Sequence, residues 1–252
     1  MVSLKTSQEI ELLAEAGALL GAILDVLTKK AAVGVTGTEL NTVAHDMMQQ
    51  AGAIPVFLGY GKPPYPAAIC VSVNDQVVHG IPNDIPFQDG DIVSIDAGLS
   101  LHGLIVDSAR TVGVGHLTPI QKKLMNVTKQ ALAIGIEQAQ VGNRTGDIGY
   151  AVQSYVEKEG FEVVRALVGH GVGHELHEEP QVPNFGSKGA GTLLTEGMVL
   201  AIEPMVTQGS PHVTTSPDKW SIIAVSGKAS AHEEHTIAIT KQGPRILTIG
   251  NA

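Results

Sequence analysis

The chain has 252 residues, 43% hydrophobic and 16% charged, and its 16 basic and 25 acidic residues give a formal net charge of −9. That length suits one large domain or two small ones sharing a core, and the composition excludes intrinsic disorder and argues against a nucleic-acid surface. A single cysteine, Cys70, excludes a disulfide framework, a zinc ribbon or an iron–sulfur cluster, and a reducing, cytoplasmic setting is expected.

In chain order, the first predicted element is a helix. Thr6-Ser7-Gln8-Glu9 reads as a capping box, and Ile10, Leu13, Leu20, Leu24 and Leu27 then keep helical spacing. The apolar stretch from Ala16 to Leu24 is bounded by Glu15 and Asp25 and is shorter than the roughly 18 residues of a membrane span. Glu9, Glu11 and Glu15 do not suit a signal or transit peptide. A second helix should end near Gly52, placed as a C-terminal cap. The Gly/Pro-rich run from Gly59 to Pro66 reads as a surface loop. Asp89 to Asp96 then reads as a turn and an apolar strand ending on a carboxylate. Gly98, Ser100 and Gly103 are turn formers, so a hairpin should set Asp96 beside Asp107, eleven positions on.

The second part of the chain repeats this plan. Val33-Gly34, Glu39-Leu40 and Gly52 match Val141-Gly142, Asp147-Ile148 and Gly160, each at an offset of 108 positions. Thr118-Pro119-Ile120-Gln121 forms another capping box, and Gly90 and Asp96 match Gly197 and Glu203 at an offset of 107. The spacing is too long for a solenoid, so a duplicated α+β half-domain is expected, with carboxylates from both halves meeting between them.

Four features carry chemistry. Asp96 and Asp107 would repel each other unless a cation held both; a general acid and base pair without metal is the alternative. Gly169-His170-Gly171-Val172-Gly173-His174-Glu175-Leu176-His177-Glu178-Glu179-Pro180 offers three imidazoles on a glycine-rich loop. Three histidines on one zinc ion is the simpler arrangement, but the surplus of carboxylates favours a harder, oxygen-rich site. Glu203-Pro204-Met205 is the third feature. Glu234, opening the β-branched run His235 to Thr240, is the fourth, although alone it would read as a solvated strand end.

With His79 in Val78-His79-Gly80-Ile81-Pro82, this set resembles the methionine aminopeptidases of the short, bacterial type I kind, among the pita-bread metallohydrolases. The resemblance runs from Lys5-Thr6 to Ile246-Leu247. It implies an α+β fold of duplicated half-domains with pseudo-twofold symmetry: one catalytic domain over 1–252, halves near 1–116 and 117–252, and a curved antiparallel sheet covered by helices with the metal site between the halves. The related X-Pro aminopeptidases and prolidases usually carry a large N-terminal domain, for which no room is expected before Thr6. The type II methionine enzymes carry an insertion that the 31 positions between Glu203 and Glu234 do not hold.

By this resemblance Asp96, Asp107, His170, Glu203 and Glu234 bind two divalent ions per chain (Co²⁺, Mn²⁺, Fe²⁺ or Zn²⁺), with Asp107 and Glu234 bridging. The activity implied is removal of N-terminal methionine before a small second residue, by a metal-bridging hydroxide. Glu203 would also shuttle the proton, His177 would donate to the developing oxyanion, and His79 would hold or protonate the scissile amide. Tyr60, Tyr65, Cys70, Leu176 and Trp220 would line the methionine pocket, with His79 and His177 touching substrate. Leu176 stands where an aromatic is usual, which implies a wider floor, and the long Tyr60–Tyr65 segment leaves open which tyrosine closes the pocket. His174 and His232 stand where histidine is unusual and read as rim residues or adventitious metal binders. Implied partners are peptides and nascent polypeptide at the ribosome, with a monomeric chain and neither nucleic acid nor membrane. The alternatives are an X-Pro-type aminopeptidase or dipeptidase, and a non-catalytic binding module of the same fold.

Overall fold

The computed structural model describes residues 2–250. The first half begins with helices α1 (Ser7–Lys30) and α2 (Gly37–Gln50), followed by strands β1 (Ile54–Pro55), β2 (Ile69–Val73), β3 (Gln76–Val78), β4 (Ile92–Leu101) and β5 (Leu104–Gly113). The second half repeats the opening with α3 (Pro119–Gln138) and α4 (Thr145–Lys158). Its strands are β6 (Glu162–Val163), β7 (Gly169–Gly171), β8 (Glu178–Val182), β9 (Val199–Ile202), β10 (Met205–Thr207), β11 (Val213–Thr215), β12 (Ile222–Ala224), β13 (Ser230–His232), β14 (His235–Thr240) and β15 (Gly243–Ile246).

The helix starts follow from local hydrogen bonding. Thr6 accepts from the Glu9 amide at 3.2 Å while its own amide donates to the Glu9 carboxylate at 2.7 Å, so two orphan donors of α1 are satisfied. Thr118 and Gln121 make the same exchange at α3, and Thr36 with Glu39 makes one at α2 that the sequence reading missed. Gly52 and Gly160 lie just past the ends of α2 and α4 with φ of 70° and 86°, a conformation that glycine takes without strain.

Each helix pair covers its own sheet. Leu13, Leu20, Leu24, Leu27 and Leu40 pack on Ile95, Leu99 and Val106 of β4 and β5, all fully buried. Leu124, Ala131, Ile148 and Val152 do the same on Leu200, Ile202, Ile237 and Ile239 of β9 and β14. Each large side chain buried in this way contributes roughly 1.5–3 kcal/mol before entropy is counted. The antiparallel strands run in four ladders: β1-β4-β2 with β5 on β4; β13-β10-β6; β11-β12-β3; and β15-β14-β9-β7-β8. Among the described residues no helix is long and apolar enough to cross a membrane.

The β4–β5 hairpin turns at His102-Gly103, whose φ values are 55° and 77°, not at Gly98 or Ser100. Both residues need the left-handed region that two-residue hairpins favour. Gly98 and Ser100 are instead ladder residues. Asp96 correspondingly lies inside β4 rather than at its end, opposite Ala109, while Asp107 faces Gly98. The two aspartates therefore sit on a diagonal of one sheet face.

The halves are stitched together beside these aspartates. The Glu234 amide donates to the Ala109 carbonyl at 2.9 Å, and Ser108 Oγ donates to the Glu234 carbonyl at 2.7 Å. Thr236 Oγ1 donates to the Asp107 carbonyl at 2.7 Å and accepts from the Asp107 amide at 3.0 Å. These bonds fix Asp107 against Glu234 although the two are remote in sequence.

Candidate metal centre and its cavity

Two elements of the first half and three of the second converge on one cavity, whose wall includes Asp96, Asp107, His170, Glu203 and Glu234. Asp96 and Asp107 come from β4 and β5, His170 from β7, Glu203 from the end of β9, and Glu234 from the residue before β14. Ligand-type atoms of Asp107, His170 and Glu234 all lie within 4.8 Å of one another. Nε2 of His170 is 3.4 Å from Glu203 Oε1.

His170 was expected on a loop, yet it sits on a strand. The glycines beside it serve close packing: a Cβ on Gly169 would lie 2.3 Å from the Ala201 carbonyl oxygen, and one on Gly171 would lie 2.4 Å from that of Glu179. Nδ1 of His170 lies 2.9 Å from the Gly171 carbonyl. The ring therefore donates there and turns the lone pair of Nε2 toward the carboxylates. Glu234 is 2% exposed, so the solvated strand end it would suggest by itself does not apply; Ser108 and Ala109 of β5 bond its backbone and cover it.

Burial pushes the Asp96 carboxyl up to about 7, and burial together with the neighbouring acids raises Asp107, Glu203 and Glu234 well above the usual carboxylate range. Asp96 Oδ1, Asp107 Oδ1 and Glu234 Oε1 are buried without a hydrogen-bond partner. Clustered acid groups with orphaned oxygens are what a cation would satisfy, and hard oxygen donors with one imidazole suit a divalent ion. The donor set fits a divalent metal.

The remaining wall is apolar. Phe57, Tyr65, Cys70 and Leu176 are each under 9% exposed and pack with Trp220 into a seat that opens on the carboxylates. Tyr65 and Trp220 meet edge-to-face with centroids 5.1 Å apart, and the Tyr65 hydroxyl donates to the Gly80 carbonyl at 2.8 Å. Phe57 had not been picked out from the sequence; its place beside the Gly/Pro-rich run was the available signal. His79 follows β3 with φ of 59°, its ring centroid 6.4 Å from that of Trp220, and burial and then His177 hold its imidazole down at about 4. His177 stands at the mouth, centroid 4.4 Å from His170, with its pKa lowered by desolvation.

The sequence pattern of metallopeptidase family M24 matches residues 11–241. The chain is 49% identical over 250 residues to a methionine aminopeptidase of Clostridium perfringens, with 99% of each chain covered. The chain belongs to metallopeptidase family M24. The crystal structure of methionine aminopeptidase from Rickettsia prowazekii superposes with a TM-score of 0.96 at 39% identity, covering 99% of this chain and 100% of that one. A prolidase from Pyrococcus horikoshii matches at a TM-score of 0.79 and 24% identity over 98% of this chain and 64% of that one, and so shares the pita-bread fold.

Two further histidines of this M24 peptidase lie outside the ligand cluster. His174 is a half-exposed surface residue: Nδ1 is 3.0 Å from Ser3 Oγ and Nε2 is 2.8 Å from Glu9 Oε1, so Ser3 and the first turn of α1 hold the ring. His232 is 2% exposed, with Nε2 3.8 Å from Glu203 Oε2 and 4.0 Å from Glu234 Oε2. It stands behind the carboxylates, not on a rim, because β13 is enclosed between β10 and β5. Burial and nearby His79 hold its pKa at about 3, which keeps it neutral. A further support went unseen in the sequence. Lys5, 4% exposed, pairs with Glu178, which also accepts from the amides of His174 at 2.6 Å and Glu175 at 3.0 Å.

Proposed function

We propose that this M24 peptidase removes the N-terminal methionine of polypeptides, preferring a small second residue. The observation that carries the reading is an apolar seat ending on a cluster of four carboxylates and one imidazole. Phe57, Tyr65, Cys70, Leu176 and Trp220 offer an unbranched, polarisable side chain a buried surface, and the acidic end attracts a free α-amine. An acylated N-terminus has no amine to place there.

Asp96, Asp107, His170, Glu203 and Glu234 would hold two divalent ions, with Mn²⁺, Fe²⁺, Co²⁺ and Zn²⁺ as candidates for this mixed oxygen and nitrogen donor set. When bound, such ions supply a Lewis acid for the scissile carbonyl and bring the pKa of water from about 15.7 toward 7. Glu203, at the end of β9 with Oε1 3.4 Å from His170 Nε2, takes the proton of the attacking water and returns it to the leaving amine. His177 at the mouth donates to the carbonyl oxygen as negative charge develops there. His79, buried neutral beside Trp220, holds the scissile amide.

The test is peptide cleavage by protein reloaded with Mn²⁺ or Co²⁺. Met-Ala-Ser and Met-Gly-Met should release methionine, their N-acetylated forms should stay intact, and Met-Lys peptides should be poor. Faster cleavage of Ala-Pro or Gly-Pro peptides would overturn the reading in favour of a proline-specific enzyme.

A further inference from the structure

Tyr60 joins the methionine seat to the mouth of the cavity. Its hydroxyl oxygen lies 2.6 Å from Nδ1 of His177, and the two rings stand with centroids 5.3 Å apart at 60°. The loop behind it is held from within. The Tyr60 amide donates to the Phe57 carbonyl at 2.9 Å, the Tyr65 amide donates to the Tyr60 carbonyl at 2.8 Å, and the Gly59 amide donates to the Tyr65 carbonyl at 2.8 Å. Gly61 rests on the Trp220 ring so closely that a Cβ would lie 2.5 Å from it. The hydroxyl is thus carried by the same loop that closes the seat.

A neutral imidazole has one N–H and one lone pair, and the partner of one nitrogen decides which the other presents. If the Tyr60 hydroxyl donates to Nδ1, Nε2 keeps its proton and presents a donor. If the hydroxyl accepts instead, Nε2 presents only a lone pair and has no proton to give; a phenol O–H is the stronger donor of the pair and an imidazole nitrogen the stronger acceptor, which favours donation from Tyr60. Only the first arrangement can stabilise an oxyanion.

We infer that Tyr60 is the positioning residue of His177: it donates to Nδ1, fixes the tautomer protonated at Nε2 and sets the ring angle at the mouth. This inference rests on the reading of His177 as oxyanion donor. The loop that receives the methionine side chain thereby also orients the group that serves the scissile carbonyl.

The variants Tyr60→Phe, His177→Ala and the double substitution test it, by steady-state kinetics on Met-Ala-Ser and by ¹⁵N-histidine NMR of the Zn²⁺-loaded protein. Tyr60→Phe keeps the ring in the seat, so kcat should fall roughly 10- to 100-fold with KM little changed. The double variant should be no slower than His177→Ala alone. In the wild type His177 should show the nitrogen shifts of an imidazole protonated at Nε2, and Tyr60→Phe should move that population toward Nδ1–H. A Tyr60→Phe enzyme with unchanged kcat, a rise in KM alone, or an unchanged His177 tautomer would overturn the inference. Full activity of His177→Ala would instead overturn the reading of His177 on which it stands.

Discussion

His170, His174 and His177 fall within one short segment, yet their surroundings assign them different losses. His170 aims Nε2 at Glu203 and is braced through Nδ1, so His170→Ala should lose metal affinity and activity together, with partial rescue by excess metal. Calorimetric titration beside turnover checks this. His177→Ala should bind metal normally and lose on the order of 10²- to 10³-fold in kcat, or roughly 2.7–4 kcal/mol, which added metal does not restore. His174→Ala breaks only contacts to Ser3 and Glu9 at a half-exposed site, and should cost about 0–1 kcal/mol in thermal unfolding while metal binding stays intact. At the floor of the seat, Leu176 presents less bulk than an aromatic side chain. Leu-Ala or norleucine peptides should therefore be cut at a measurable fraction of the methionine rate, and Leu176→Phe should narrow that tolerance.

At the scale of elements, the loop between β7 and β8 depends on the segment that precedes α1. The Lys5 ammonium is almost fully enclosed against Glu178, whose carboxylate stays low despite burial because Lys5 and two loop amides donate to it. Lys5→Met strands that carboxylate, and breaking a buried pair in this way costs about 3–5 kcal/mol. Chemical denaturation of Lys5→Met, Glu178→Gln and the double variant should show the double variant recovering part of that loss. No recovery would mean that the two side chains act independently. The seam between β5 and β14 is a second such joint. Thr236→Val removes the donor to the Asp107 carbonyl and the acceptor of its amide, at about 1–3 kcal/mol. Because Asp107 sits in the cavity, metal affinity should weaken with stability.

For the whole molecule, the acid cluster links stability to pH and to metal. Asp96 has its pKa raised to about 7 from 3.8 by burial, so the metal-free protein gains most from this group at pH values below 3.8 and loses that contribution as pH rises through about 7. The other three acids shift in the same direction. Thermal unfolding in chelator should therefore show a Tm that falls between pH 5 and 8 where this cluster dominates. A saturating divalent ion should raise Tm more at pH 8 than at pH 5, since ionised carboxylates bind it better. A metal-induced rise that does not grow with pH would argue against carboxylate ligation.

Sequence by itself determined what is local or carried by residue type. The boxes at Thr6 and Thr118 close between residues three apart, so neighbours alone specify where α1 and α3 begin. Asp96, Asp107 and Glu203 on apolar strands and the offset near 107 were likewise legible in the residues themselves, while the full set with His170 and Glu234 came only from the family resemblance. Tertiary structure decided what depends on distant partners. Whether Glu234 is solvated is settled by β5, and Asp107 meets its Thr236 partner across 129 positions. His174 and His232 look alike in the sequence. One is claimed by Ser3 and Glu9 and the other is enclosed behind Glu203, an outcome set by which chain segments pack against each. The contact between Tyr60 and His177 spans 117 positions and arises only when the seat closes on the mouth of the cavity. Burial and hydrogen-bond partnership are properties of the packed chain, and a one-dimensional pattern records only the groups that become available to it.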